Sequence, residues 1–203
     1  FRSTDFNALL AALRPDLPAG IALVQLGEGG APETTAFSRA LAHAPHSASF
    51  AGQADDPVVV LFTSGTESRP KGAVHTHNTI LFGERALASA LALTAADTAF
   101  MASPIAHTTG FMHGVIMTLM LGGTLSLLDV FEGRRAAEQM RAHRCTWTMG
   151  ATPFLADVTA ALEAGGARLP DLRYFLCGGA PIPESLVRRA SGVEVRALSI
   201  YGS

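Results

Sequence analysis

Val58-Val59-Val60-Leu61-Phe62-Thr63-Ser64-Gly65-Thr66-Glu67-Ser68-Arg69-Pro70-Lys71-Gly72 changes character after its fifth residue. The first five side chains are apolar and mostly β-branched, the pattern of a short buried strand. Hydroxyls and a glycine follow, and the run closes with Lys71 between Pro70 and Gly72. Small residues let backbone N–H groups converge on an anion with no Cβ in the way. Thr63, Ser64 and Thr66 add donors for phosphate oxygens, and Lys71 adds a compact positive charge. A Walker A loop would end Gly-Lys-Ser/Thr, and here the order is Pro-Lys-Gly. The alternative is a surface loop of turn-forming residues.

Outward from this stretch, strand and helix patterns alternate. Residues 73–76 read as a strand, and Asn78 is placed to cap the next helix, in which Ile80, Leu81, Leu87, Ala88 and Leu91 recur at helical spacing. Strands are expected at 125–128, 146–149, 172–176 and 193–200, with helices at 134–143, 154–163 and 184–190. Such alternation implies βαβ units: an α/β fold with a mostly parallel sheet and helices on both faces, part of a larger domain. Sheets of this kind place ligands at the carboxyl ends of their strands, where each motif discussed here falls. Residues 1–50 form a less regular leading segment, with a short helix at 9–13, a strand at 21–26, a loop at 27–35 and a connector from 45. Residues 51–203 form the core.

Of the 203 residues, 48% are apolar and 16% charged, which favours a packed core over disorder. The net charge is −2 and no Lys/Arg run occurs, so electrostatic capture of nucleic acid has no support. Cys145 and Cys177 stand at neither metal nor redox spacing and read as core thiols of a reducing, cytoplasmic compartment. Between Thr98 and Leu128 there is no Asp, Glu, Lys or Arg, a length that would raise a transmembrane helix. Pro104, His107, His113 and Gly122-Gly123 divide it instead into strand 99–102, loop 103–108, helix 109–121 and strand 124–128. No membrane span is expected.

The run from Thr63 to Gly72 is similar to the phosphate-loop signature of the adenylate-forming superfamily, Thr-Ser-Gly-Thr-Thr-Gly-x-Pro-Lys-Gly. That superfamily contains acyl-CoA synthetases, aryl-acid ligases, luciferases and the adenylation domains of peptide synthetases. Glu67 replaces a Thr and Ser68 a Gly, both at the loop tip. The resemblance continues in sequence order over roughly residues 57–203. By it, Thr63, Ser64, Gly65, Thr66, Lys71 and Gly72 hold the ATP phosphates, and Lys71 is catalytic with His107.

Pro104-Ile105-Ala106-His107-Thr108-Thr109-Gly110-Phe111 resembles the loop that carries an aromatic residue or His at the carboxylate pocket. This implies an acyl pocket of His107, Thr108, Gly110 and Phe111, with His107 near the acyl-adenylate carbonyl. The bland alternative is a core histidine with a satisfied hydrogen bond. No acidic side chain stands in this region to pair an α-ammonium, and Thr108 replaces the Asn of dihydroxybenzoate ligases. An apolar acyl or alicyclic acid fits better. Cys177-Gly178-Gly179-Ala180-Pro181-Ile182 resembles the segment along the adenine ring, assigning Gly178, Gly179, Ala180 and Pro181 to adenine. Tyr201 and Gly202 join them as the opening of Tyr-Gly-x-Thr-Glu, whose Tyr stacks on the base. Thr148 to Leu155 is similar to a strand-to-helix turn, with Pro153 suited to the first helical turn. His75 and His77 could share one strand face, but without a third ligand no metal site is assigned.

The resemblance implies an acid:thiol ligase using ATP, Mg²⁺ and CoA as co-substrate. Its small-molecule acid is first converted to acyl-AMP and then to a thioester. The C-terminal lid, with the family's essential Lys, is expected beyond this chain, so the 203 residues alone are expected not to turn over. Aryl-acid ligases, peptide-synthetase-like adenylation domains and a non-catalytic nucleotide-binding module remain as alternatives. A homo-oligomer is compatible with the sequence.

Overall fold

The computed structural model describes residues 5–26, 34–44, 51–62 and 70–201. The chain divides into two compact units, Phe1–Ala51 and Gly52–Ser203.

In the first unit, α1 (Phe6–Leu13) starts at Asp5, whose carboxylate accepts from the N–H groups of Asn7 and Ala8 at 3.0 and 3.1 Å. The expected strand over 21–26 shrinks to β1 (Val24–Gln25), paired in parallel with β2 (Thr35–Ala36). A short helix that the sequence pattern did not suggest, α2 (Phe37–Leu41), follows directly.

The second unit holds a ribbon and a sheet. The ribbon pairs β3 (Pro57–Phe62) antiparallel with β4 (Gly72–Thr76). The sheet has five parallel strands, β5 (Thr98–Met101), β6 (Thr124–Leu127), β7 (Trp147–Ala151), β8 (Tyr174–Gly178) and β9 (Ala197–Ser199). Their spatial order is β6-β5-β7-β8-β9. Helix α3 (His77–Ala90) leads from the ribbon into the sheet, and between the sheet's strands run a π-helix (Thr109–Ile116) continued by α4 (Met117–Leu121), then α5 (Gly133–Ala142), α6 (Thr152–Gly165) and α7 (Glu184–Gly192).

Successive strand residues point to opposite faces, and the core divides accordingly. Phe100, Phe175 and Cys177 pack with Met140, Leu155, Leu162 and Leu186 from α5, α6 and α7. Ala99, Met101, Trp147, Met149 and Leu176 pack with Ala88 and Met117 from α3 and α4. Helices therefore cover both faces of a parallel sheet, as the alternation required. No helix among the described residues is long and apolar enough to cross a membrane.

Where the strands begin, four helices end in the same way. Leu93, Gly123, Cys145 and Val195 donate their N–H groups to the carbonyls of Ala88, Thr118, Met140 and Ala190 at 2.8–3.0 Å. Each follows a left-handed residue, Ala92, Gly122, Arg144 or Glu194, which is the Schellman closure. Asp97 braces the same end. Its Oδ1 accepts from Thr146 Oγ1 at 2.7 Å and Arg173 Nη2 at 3.0 Å, and its Oδ2 from the Thr94 N–H at 2.8 Å.

The structure corrects five expectations. The strand over 58–62 exists but is not buried: Phe62 is 72% exposed, because β3 pairs only with β4 among the described residues. Thr76, not Asn78, caps α3, in a reciprocal pair with Thr79 at 3.2 and 2.9 Å; Asn78 instead donates to Asp55 at 2.7 Å. His75 ends on β4 while His77 opens α3, so the two do not share a strand face. The single helix over 109–121 is a π-helix that passes into an α-helix. The last strand covers only Ala197–Ser199, because Glu194 at φ 64° turns the chain between Val193 and Val195.

Candidate functional site

The loops after β5, β7, β8 and β9 all emerge at the carboxyl edge of the parallel sheet, the ligand-binding edge of such sheets. They bring most of the predicted site residues to one rim.

After β8 the chain passes through Gly178, Gly179, Ala180 and Pro181. Gly179 has φ +83°, a conformation that a side chain would strain. A Cβ on Gly178 would come within 3.3 Å of Ile200 Cγ1, so a small residue lets β8 and the chain after β9 lie together. The Ile200 N–H donates to the Cys177 carbonyl at 2.8 Å and brings Tyr201 alongside. Tyr201 is 98% exposed, with its ring open to a planar partner. Directly after the neighbouring strand β7, Thr152 Oγ1 donates to the Ala180 carbonyl at 3.5 Å. Thr152 opens α6, with Pro153 in the first turn as expected.

Burial raises the Cys177 thiol from 9.0 to about 11, and Cys145 likewise. Both remain neutral core thiols near pH 7 and supply no nucleophile.

His107 lies on the loop after β5 and is exposed, which sets aside its reading as a core histidine. Its N–H donates to the Pro104 carbonyl at 2.9 Å, and its own carbonyl accepts from the Phe111 N–H at 2.9 Å. The Thr109 N–H donates to His107 Nδ1 at 3.2 Å. The neutral imidazole therefore carries its proton on Nε2, as a donor. Thr108 and Phe111 are half-buried and Gly110 is buried. A Cβ on Gly110 would lie 2.3 Å from the Pro104 carbonyl oxygen and 2.5 Å from that of Ser103. Only glycine lets the π-helix start directly against this loop.

Thr63, Ser64, Gly65, Thr66 and Gly202 lie outside the described residues. Lys71 and Gly72 are described, at the exposed start of β4, on the ribbon rather than on the five-stranded sheet. A Cβ on Gly72 would meet Val60 Cγ1 at 2.7 Å, so a larger residue there would have to displace the Val60 side chain across the β3–β4 pair. Among the described residues, no group of three or more His, Cys, Asp or Glu side chains could hold a metal ion.

Two parts of this region were not singled out from sequence. Thr152 ties two loops of the rim together. Glu84 is buried on α3 against His113 of the π-helix. A signal for Glu84 did exist: it falls midway between Ile80 and Ala88, four residues from each, on an apolar helical stripe.

Known proteins share this architecture. The medium-chain fatty-acid–CoA ligase of Escherichia coli strain K12 is 44% identical over 149 residues, 73% of this chain and 26% of that protein. A feruloyl-CoA synthase of an Amycolatopsis species is 30% identical over 135 residues, 66% of this chain and 28% of that protein. The chain thus spans about a quarter of the length of the curated relatives it matches. Among solved structures, the inhibitor-bound N-terminal domain of FACL13 from Mycobacterium tuberculosis aligns with a TM-score of 0.76 at 26% identity, over 82% of this chain and 42% of that one. The anthranilate CoA ligase AuaEII in complex with anthranoyl-AMP aligns with a TM-score of 0.85 over 98% of this chain and 39% of that one. At 20% identity, that match speaks for the fold alone. Residues 4–203 match the AMP-binding enzyme family, and the chain belongs to it.

Proposed function

We propose that this chain is the nucleotide- and acid-binding core of an ATP-dependent acid:thiol ligase. The carboxylate of a small-molecule acid attacks the α-phosphorus of MgATP. The bond to the pyrophosphate oxygen breaks, leaving acyl-AMP and pyrophosphate. The sulfur of CoA then attacks the acyl carbon, AMP departs with the bonding pair, and the thiol proton passes to solvent.

The observation that carries this reading is the order of loops along the carboxyl edge. Gly178 to Pro181 and Tyr201 suit a flat base. The His107 loop follows two strands away, or about 10 Å at normal strand spacing. A ligand lying across that rim has room for a base at one end and an acyl group at the other. Adenine would take the glycine segment with Tyr201 and Gly202. The acid would take His107, Thr108, Gly110 and Phe111, with His107 Nε2–H directed at a carboxyl oxygen.

Lys71, with the hydroxyls and glycine of Thr63 to Thr66 and with Gly72, would neutralise the polyphosphate. Charge stabilisation of that kind carries much of the catalysis in phosphoryl chemistry. Mg²⁺ enters with the ATP as part of the substrate. An apolar acyl group is favoured, because the region 98–128 holds no acidic side chain for an amino acid's ammonium.

The test uses the full-length protein, MgATP and a panel of acids. Acid-dependent pyrophosphate release is expected. Lys71→Ala should lower it by roughly 10²–10³-fold. ATP should bind more weakly to Lys71→Ala, and a non-hydrolysable acyl-AMP analogue, which keeps only the α-phosphate, should bind more weakly to His107→Ala. A nucleotide-binding module without an acid pocket would feel only the lysine change, and that result would refute the ligase reading.

A further inference from the structure

Glu84 sits on the buried face of α3 between Ile80 and Ala88 and is 2% exposed. Its Oε1 and Oε2 lie 3.0 and 3.1 Å from His113 Nδ1, and among the described residues this is its only polar partner. His113 stands in the middle of the π-helix, Thr109–Ile116. Burying a carboxylate costs several kcal/mol, and pairing little more than offsets that cost; apolar side chains of similar size would hold two helices at least as well. What a buried polar pair supplies instead is one fixed point between two elements.

The π-helix needs such points. Its i→i+5 ladder is rare, persists only in short pieces and clusters at functional sites. Two glycines press it into place. Gly110 lies on the carbonyls of the His107 loop, and a Cβ on Gly114 would meet Met101 Cγ of β5 at 3.0 Å. The contact with Glu84 comes from α3, a third element.

We propose that Glu84 and His113 form a positioning pair that locks residues 109–116 in the π register and so sets the size of the acid pocket. This rests on the assignment of His107, Thr108, Gly110 and Phe111 to the acid. Without the pair, the segment relaxes towards the i→i+4 ladder. That change rotates Phe111 about the helix axis and shifts slack into the loop that presents His107. The pocket then loses its discrimination among acids, while the adenine segment, on other strands, is untouched.

The test compares the full-length protein with Glu84→Leu/His113→Leu and with Glu84→Gln. The double variant removes both polar groups together, leaves no unpaired buried polar side chain and should fold. Its KM for the preferred acid should rise by at least about tenfold and its ranking of acids by chain length should change. Its KM for ATP should stay within about twofold. Backbone amides of residues 109–116 should exchange with deuterium faster than in the parent, with those of β8 unaltered. Glu84→Gln still accepts from Nδ1–H and should keep the parent ranking.

An unchanged ranking with unchanged exchange in the double variant would overturn the proposal. So would parallel rises in both KM values. If the parent protein releases no pyrophosphate with any acid, the ligase reading fails, and the exchange measurement still decides whether the pair holds the π register.

Discussion

Strands β3 and β8 are both short apolar runs that lead into glycine-containing loops, yet their surroundings are opposite. In β8, Leu176 and Cys177 are fully buried, with β7 and β9 on either side and helices on both faces. In β3, Val58, Val60 and Phe62 are exposed, and β4 is the single partner among the described residues. Apolar composition therefore specified a strand in both cases and burial in only one. For the proposed ligand, the segment assigned to adenine grows out of a buried strand, while the lysine assigned to phosphate grows out of a two-stranded ribbon. Segments with few buried apolar neighbours open at low free-energy cost, and binding loops are commonly drawn from them.

The strongest challenge to this contrast is Leu176→Ala. It should cost about 2–5 kcal/mol in urea unfolding, because the site is enclosed on every side. A loss under about 1 kcal/mol would mean that the sheet is not the stable partner. Next comes Gly110→Ala, whose new methyl group would press on two backbone carbonyls. A cost of about 1–3 kcal/mol is expected, together with weaker acid binding but unaltered ATP binding by calorimetry. Thr76→Ala, which removes the cap joining the ribbon to α3, should cost about 1 kcal/mol, seen as faster amide exchange in the first turn of α3. Val60→Ala should cost under about 1 kcal/mol. A loss as large as that of Leu176→Ala would show that another part of the protein packs on the ribbon.

The smallest effect, nil at neutral pH, comes from the thiols. Their folded values near 11 lie above the ordinary 9.0. The neutral form is thus favoured in the fold: this contribution is complete below pH 9 and is lost as pH rises towards 11. Iodoacetamide at pH 8 should label Cys145 and Cys177 in the unfolded chain and leave the folded chain unlabelled. Rapid labelling of the folded chain would place them outside the core.

Much of the architecture was legible because its signals are local and repeated. Alternation of strand and helix patterns, with Gly and Pro between them, implied a parallel sheet covered on both faces, and Gly178-Gly179 and Pro153 fell at strand ends. What stayed hidden depends on contacts distant in sequence. Nothing in Val58 to Phe62 says how many neighbours that strand will have. A π-helix of eight residues looks like an α-helix in sequence, since its cause lies in the Ser103 and Pro104 carbonyls beneath Gly110 and in Glu84 on another helix. Thr76 and Asn78 are both good caps, and the choice turned on Asp55, which engages Asn78 from over twenty residues away. Val193 and Val195 alternate like a strand, but the left-handed Glu194 between them closes a helix. Of the proposed phosphate loop, only Pro70 to Gly72 fall within the described residues.

The four Schellman closures and the Asp97 brace sit where strands begin, whereas the proposed ligand loops leave where strands finish. Anchorage and recognition thus occupy opposite rims of one sheet, and sites far apart with no shared partners contribute almost additively to stability. An engineer wishing to change the proposed acid could rebuild residues 102–108 while drawing on the remote rim for compensation. Placing glycine at Ala92, where the backbone is already left-handed, would offer that reserve without touching the reacting end.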